Sequence, residues 1–326
     1  MFLAGDIGGT KTNLAVYAYH NDRLEAQRTA SYPSKDHATL VEIVRLFLGP
    51  DSAIRHACFG VAGPVKDGRV QVTNLPWVVD AAALQAELHF QHVSLLNDLE
   101  ANAYGISTLL PSELISINPE ADLMQVGNRA LIAAGTGLGE AGLMWDGVAH
   151  RPFSSEGGHS SFAPNDPVGD ELLLFLRKEL KGHVSWERVL SGMGMPNLYR
   201  FFRQRSGQPE PAWLTEQLAK GDLAAVVTNA GLANYDPVCV DAVDCFTRNY
   251  GAEAGNLGLK MLALGGIYIG GGIAPKMMAK MQSAIFLDAF NHKGRMSPLL
   301  RSTPVHVIMN DKTALQGAAW FAAHLA

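Results

Sequence analysis

The chain has 326 residues, 48% of them hydrophobic and 17% charged, with a net charge of −5. That is the composition of a folded globular protein about two domains long, and its mildly acidic balance leaves no basic footprint for nucleic acid or an anionic membrane surface. Cys58, Cys239 and Cys245 stand in no metal-ligand spacing and are expected as reduced, buried thiols. No run approaches ~18 uninterrupted apolar residues, and Gly5 and Asp6 follow the start too soon for a secretory apolar core. A soluble, cytoplasmic protein is expected.

In chain order, Phe2–Ala4 and Thr12–Tyr19 read as strands joined by a glycine-bearing turn over Gly5–Lys11. A helix over His37–Leu48, a strand over His56–Val61, a short strand over Val70–Thr73, a helix over Ala81–Leu88 and a buried strand over Val93–Leu96 follow. From Asp98 to about Leu109 the pattern is helical again, and Pro111 marks a candidate boundary. Leu131–Ala134 and Glu140–Trp145 are predicted strands around a second glycine turn, Gly135–Gly139. The stretch Asp170–Lys260 is mostly helical, and the strand Ile267–Ile269 runs into Gly270–Gly272. A strand at Val305–Ile308 and a helix over Lys312–Leu325 close the chain, the strand being expected to return to the first sheet. The alternation predicts an α/β protein of two domains: a small one over 1–109 plus 300–326, and a large one over 110–299. Strand, glycine turn, strand occurs at Leu3–Tyr19 and again at Leu131–Trp145, a weak internal duplication.

The glycine turns carry the first chemistry. Gly5, Asp6, Ile7, Gly8, Gly9 and Thr10 lead from one strand to the next. Glycines there let backbone N–H groups converge on an anion, and Asp6 suits a Mg²⁺ that keeps most of its water. A tight hairpin whose glycines serve geometry alone is the competing reading. Gly135, Thr136, Gly137 and Gly139 superficially resemble a dinucleotide fingerprint, but a strand follows where that motif needs a helix. A second phosphate-binding hairpin fits better. Gly270, Gly271 and Gly272 follow a buried strand and precede a helix with Pro275 in its first turn, leaving a backbone surface against which a nucleoside could lie.

A second group of residues suits a polyol. Asn97 and Asp98 stand where an apolar strand gives way to a helix. Asp98 is either a helix N-cap or a general base that accepts an alcohol's proton as the oxygen attacks phosphorus. Glu156 and His159 flank two glycines in Ser155–His159, a spacing that lets both side chains reach one set of vicinal hydroxyls. Solvated loop residues are the plain alternative. Glu187 sits at a helix start, where the dipole alone favours an acid.

With these residues assembled, the sequence resembles the bacterial glucokinase family, in the branch related to hexokinases, actin and heat-shock ATPases. The resemblance runs nearly end to end through GDIGGTKTNLAVY, FGVAGPVKDGRV, TNLPW, LLNDLEANAYG, LIAAGTGLGEAGL, SSEGGHSSFAP, WERVLSG and YIGGGIAPK, in the family's order. It implies a two-domain ribonuclease H-like (actin-like ATPase) fold with an interdomain active-site cleft, ATP with Mg²⁺ as phosphoryl donor, glucose as acceptor, entry of the product to glycolysis, and a homodimer. It also implies that Gly5–Thr10 and Gly135–Gly139 are phosphate loops and that Gly270–Gly272 is the adenosine segment. Asn97, Glu156, His159 and Glu187 then match glucose ligands, and Asp98 matches the base. Related ROK (repressor and kinase) proteins carry a cysteine-rich zinc motif after the corresponding loop; here Ser160–Pro164 holds no cysteine, so no structural zinc is expected. Kinases for another hexose or an amino sugar share the chemistry, and a non-catalytic sugar-sensing regulator shares the fold; the latter's DNA-binding helices and basic patch are not expected in this chain.

Overall fold

The computed structural model describes residues 1–21, 23–50 and 52–325. It divides into two compact units, one of Met1–Leu114, Pro152–Ser154 and Asn310–Ala326, the other of Ile115–Arg151 and Ser155–Met309. Among the described residues no helix is long and apolar enough to cross a membrane.

The first unit runs β1 (Phe2–Ile7), β2 (Lys11–His20), β3 (Arg23–Pro33), α1 (Leu40–Leu48), β4 (His56–Val61), β5 (Arg69–Gln71), β6 (Val78–Asp80), α2 (Ala81–Leu88), β7 (His92–Asn97) and α3 (Asp98–Gly105). One sheet takes the order β3-β2-β1-β4-β7, with β1–β2–β3 antiparallel and β1, β4 and β7 parallel; β5 and β6 form a small ribbon apart. Strand β4 buries all but its first residue and β1 buries Leu3–Gly5 and Ile7, which explains their apolar reading. Edge strand β3 is mostly exposed, so its alternation carries little hydrophobic signal and the sequence gives no strand there. On one face of the sheet Ile43, Val44, Phe47 and Leu84 from α1 and α2 join Leu3, Ile7 and Phe59. On the other, Ala4, Ala15 and Cys58 meet Ala101 of α3 and Leu315, Ala318 and Ala319 of the C-terminal helix.

Small residues let that second face close tightly. A Cβ added at Gly317 would lie 1.8 Å from the Ala101 carbonyl, one at Gly105 would lie 2.0 Å from the Thr313 carbonyl, and one at Gly60 would lie 2.7 Å from Ala101 Cβ. Helix α3 is thus pressed against β4 at Ala101 and against the C-terminal helix at Ala101 and Gly105.

The second unit is built on β8 (Leu114–Ser116), β9 (Arg129–Ala134), β10 (Leu138–Trp145), β11 (His150–Ser155), β12 (Ile267–Gly270) and β13 (Val305–Ile308), in the order β11-β10-β9-β12-β13-β8. Its helices are α4 (Pro167–Leu180), α5 (Met195–Ser206), α6 (Ala212–Lys220), α7 (Leu223–Leu232), α8 (Pro237–Met261), α9 (Met278–Met281), α10 (Ala284–Asn291) and α11 (Ser297–Ser302). The longest, α8, starts with Asp236 accepting from the Cys239 N–H and Pro237 in the first turn, and it buries Phe246 and Tyr250 in the unit's core. Helix α12 (Thr313–Leu325) is the C-terminal helix of the first unit.

The C-terminal strand corrects the expectation drawn from sequence. β13 pairs in parallel with β12 in the second sheet and does not return to the first. Two features hold it there. The run from β12 through α9–α11 is a crossover, which places the next strand parallel beside β12. Buried Asn118 then clamps the approach, its amide donating to the carbonyls of Leu300 (3.3 Å), Arg301 (3.0 Å) and Thr303 (2.7 Å).

Candidate active site

In the first unit the β1–β2 connection is a narrow turn closed by Gly8 N–H to the Lys11 carbonyl (2.9 Å) and braced by Ser34 Oγ donating to the Gly8 carbonyl (2.8 Å). Gly5, Asp6 and Ile7 lie in the β1 ladder and frame the turn, and Ile7 is fully buried. The N–H groups of Gly9 and Thr10 have no acceptor among the described residues, leaving two adjacent donors for an oxyanion. Asp6 is half-buried, and burial raises its carboxyl above the ordinary carboxylate value, partly offset by the hydrogen bond from Asn13 Nδ2 (3.2 Å). It faces an open recess of about 350 Å³ that is also lined by Asn13, Thr29, Ser31, Asp311 and Lys312. A carboxylate short of donors at the edge of such a recess fits a hydrated Mg²⁺. Sequence reasoning missed Asn13 and Lys312; a polar Asn inside the apolar strand β2 was the signal for the first.

At the end of β7, Asn97 is the N-cap of α3: its Oδ1 accepts the Leu99 N–H (3.0 Å) and its Nδ2 donates to the Gly63 carbonyl (3.0 Å). One amide hydrogen of Asn97 remains for a ligand. Asp98 is therefore the first residue inside the helix, and the capping role considered for it belongs to its neighbour. Its Oδ1 also accepts the Leu99 N–H (3.0 Å), which orients the carboxylate at the positive end of the helix.

In the second unit the β9–β10 turn repeats the pattern of the first. Gly135 N–H reaches the Gly137 carbonyl (2.8 Å), while Gly192 N–H holds the Gly135 carbonyl (2.8 Å) from outside. Thr136 and Gly137 N–H groups have no acceptor among the described residues, and Gly139 lies in the β10 ladder beside them. Gly271 adopts φ +80° with its Cα against β9; a Cβ there would lie 2.2 Å from the Ala134 carbonyl. Between the two glycine segments stands the Tyr250 hydroxyl, 3.2 Å from Ala134 N and 3.4 Å from both the Ile132 and Gly270 carbonyls. Gly272 has open space above it.

Three of the polar residues expected on the sugar side, Glu156, His159 and Glu187, come together in this unit. His159 Nε2 is 3.8 Å from Glu156 Oε2, and its Nδ1 is 4.0 Å from Glu187 Oε1. Both separations exceed hydrogen-bond length, so the three groups form a loose arc with room for hydroxyls between them. Glu156 and His159 are exposed on a short 3₁₀ turn; Glu187, on another, is enclosed at 14% side-chain exposure. Its Oε2 accepts the Leu138 N–H (3.1 Å), and a Cβ at Gly137 would lie 2.4 Å from that same oxygen. The β9–β10 turn and the Glu187 carboxylate are thus packed directly on each other.

A profile of the glucokinase family matches residues 3–325. The chain belongs to the glucokinase family. Glucokinase from Nostoc sp. (strain PCC 7120) is 41% identical over 346 residues, covering 100% of this chain and 99% of that protein. Glucokinase from Synechocystis sp. (strain PCC 6803) is 39% identical, covering 99% of this chain and 98% of that protein. Among solved structures, glucokinase from an Antarctic psychrotroph superposes with a TM-score of 0.84 at 32% identity, covering 99% of this chain and 98% of that one. A ROK family glucokinase from Streptomyces griseus, solved with glucose and AMPPNP, has a TM-score of 0.62 at 22% identity over 99% of each chain, a likeness of fold. The architecture is that of the actin-like ATPase fold, as the resemblance implies.

Proposed function

We propose that this chain transfers the terminal phosphoryl group of ATP to the 6-hydroxyl of glucose, with Asp98 as the general base. The full-length match to the glucokinase family carries the reading, because it falls on a chain whose residue 98 is an aspartate outside the capping position.

The residue roles follow from the local chemistry. The unspent N–H pairs of Gly9–Thr10 and Thr136–Gly137 bind phosphate oxygens, and the backbone at Gly270–Gly272 receives the adenosine. Asn97, Glu156, His159 and Glu187 hydrogen-bond the sugar hydroxyls and fix the 6-hydroxyl for attack. Asp98 accepts its proton as oxygen bonds to phosphorus and the bond to ADP breaks, giving glucose 6-phosphate and ADP. Asp6 would hold a Mg²⁺, which when bound would neutralise charge on the transferring phosphates. The assignment includes no structural zinc, a homodimeric enzyme and a cytoplasmic role at the entry to glycolysis.

Asp98→Asn tests the reading. Turnover in an ADP-release assay is expected to fall by roughly 10²-fold or more, the scale of general base catalysis, while glucose still binds by calorimetry. Turnover near that of the unaltered enzyme removes Asp98 from the chemistry.

A further inference from the structure

Beneath the loop that carries Glu156 and His159 lies a carboxyl that the phosphoryl transfer does not use. Glu140, on β10, is 1% exposed. Its Oε2 sits 2.0 Å from where a side chain at Gly157 would begin. Its backbone carbonyl accepts from Ser155 Oγ (2.9 Å), and that same Oγ accepts the Gly157 N–H (3.2 Å). The loop therefore rests on Glu140 through both its backbone and its side chain.

On its inner side Glu140 meets α8. Its carboxyl contacts that of Glu253, which is fully buried and accepts from Asn256 Nδ2 (2.7 Å) and Lys260 Nζ (2.9 Å). Glu140 Oε1 is buried with no donor among the described residues. Two carboxylates in contact cannot both be ionised at ordinary cost. Glu253 already accepts from a cation and an amide while Glu140 Oε1 has no donor among the described residues, which favours the neutral form at Glu140.

We propose that Glu140 is a positioning residue for sugar binding: as a neutral acid bonded to Glu253 it forms the floor of the Ser155–His159 loop, and its ionisation weakens the enzyme's hold on the hexose. This rests on the reading that Glu156 and His159 contact the sugar. The groups facing Glu140 are Glu253, Lys260 and Tyr250 of α8, with Lys293 beyond Glu253; Glu156 and His159 above it face solvent. Burial first, then the Glu253 charge, pushes the Glu140 carboxyl up to about 8, with Lys260 pulling the other way. Rising pH removes the proton and leaves two like charges under Gly157, where no space is spare. If only the protonated form grips glucose, the competent fraction at pH 9 is about one tenth, and apparent KM rises about tenfold.

The experiment measures KM for glucose and for ATP from pH 6.5 to 9.5 in the unaltered enzyme, E140Q and E156Q. The expected result is a glucose KM that climbs about tenfold between pH 7 and 9 while KM for ATP changes far less. E140Q, which keeps a donor toward Glu253 but cannot titrate, flattens that climb. A glucose KM that stays level in the unaltered enzyme, or climbs equally in E140Q, overturns the proposal while leaving the sugar site intact. An E156Q enzyme with unchanged glucose KM overturns the underlying site and the proposal with it. The unaltered enzyme's own profile keeps the test decisive if E140Q folds poorly.

Discussion

The contact between α3 and α12 is the place to test how tightly Asp98 must be held. Gly317→Ala adds one methyl group 1.8 Å from the Ala101 carbonyl and 2.5 Å from the Gly105 N. Both are helix backbone, so no rotamer change relieves the clash; the helices must part by more than about 1 Å to reach ordinary van der Waals distance. Overpacking costs about 1–3 kcal/mol, and with backbone on both sides the upper end applies. At about 2–4 °C per kcal/mol for a unit of this size, Tm falls by roughly 6–12 °C. The same displacement moves the start of α3, and a 1 Å error in a reacting group can cost about 10²-fold. Turnover of the folded fraction, measured by ADP release at 15 °C after normalising for folded protein, is therefore expected to drop far more than glucose affinity does. Gly182→Ala is the control, since its nearest neighbour would be the Leu180 carbonyl at 3.9 Å. A Gly317→Ala enzyme with the Tm and turnover of that control refutes the argument.

Asp6→Asn is expected to weaken use of Mg²⁺-ATP about tenfold to a hundredfold and yet to raise Tm at pH 7. Burial raises the Asp6 carboxyl in the folded protein, so stability is fullest below the ordinary carboxylate value and declines as pH climbs through the folded one; Asn removes that decline, and the two proteins converge in acid. A lower Tm for the variant at pH 7 contradicts this. Gly271→Ala forces a Cβ 2.2 Å from the Ala134 carbonyl at φ +80°; KM for ATP is expected to rise at least about tenfold, a cost of about 1.4 kcal/mol, with KM for glucose little altered. Equal KM for ATP would place the nucleoside elsewhere.

Much of this architecture is written in local patterns. The buried parallel strand β4 reads as an apolar run, β7 is legible from its apolar residues although it is a half-buried edge strand, and the glycine turns stand out because strands flank them on both sides. What stayed hidden depends on long-range partners. β3 shows no periodic signal because it is an exposed edge strand. β13 is a four-residue apolar strand that either sheet could bury, and Asn118, nearly two hundred residues away, fixes which. At the site, residue types were legible but their division of labour was not: Asn97 and Asp98 are both able to cap, and only the backbone at the β7–α3 junction assigns the cap to Asn97. Glu140 looked like one more polar residue in a strand, because its meeting with Glu253 joins positions far apart in sequence.

The Tyr250 phenol joins two glycine segments of the second unit. It accepts the Ala134 N–H and shares its single proton between carbonyls of two neighbouring strands. The ends of β9 and β12 are thereby riveted just where each opens into glycine. The β9–β10 turn and the Gly270–Gly272 segment are consequently tied through one side chain, so that a displacement of either pulls on the other.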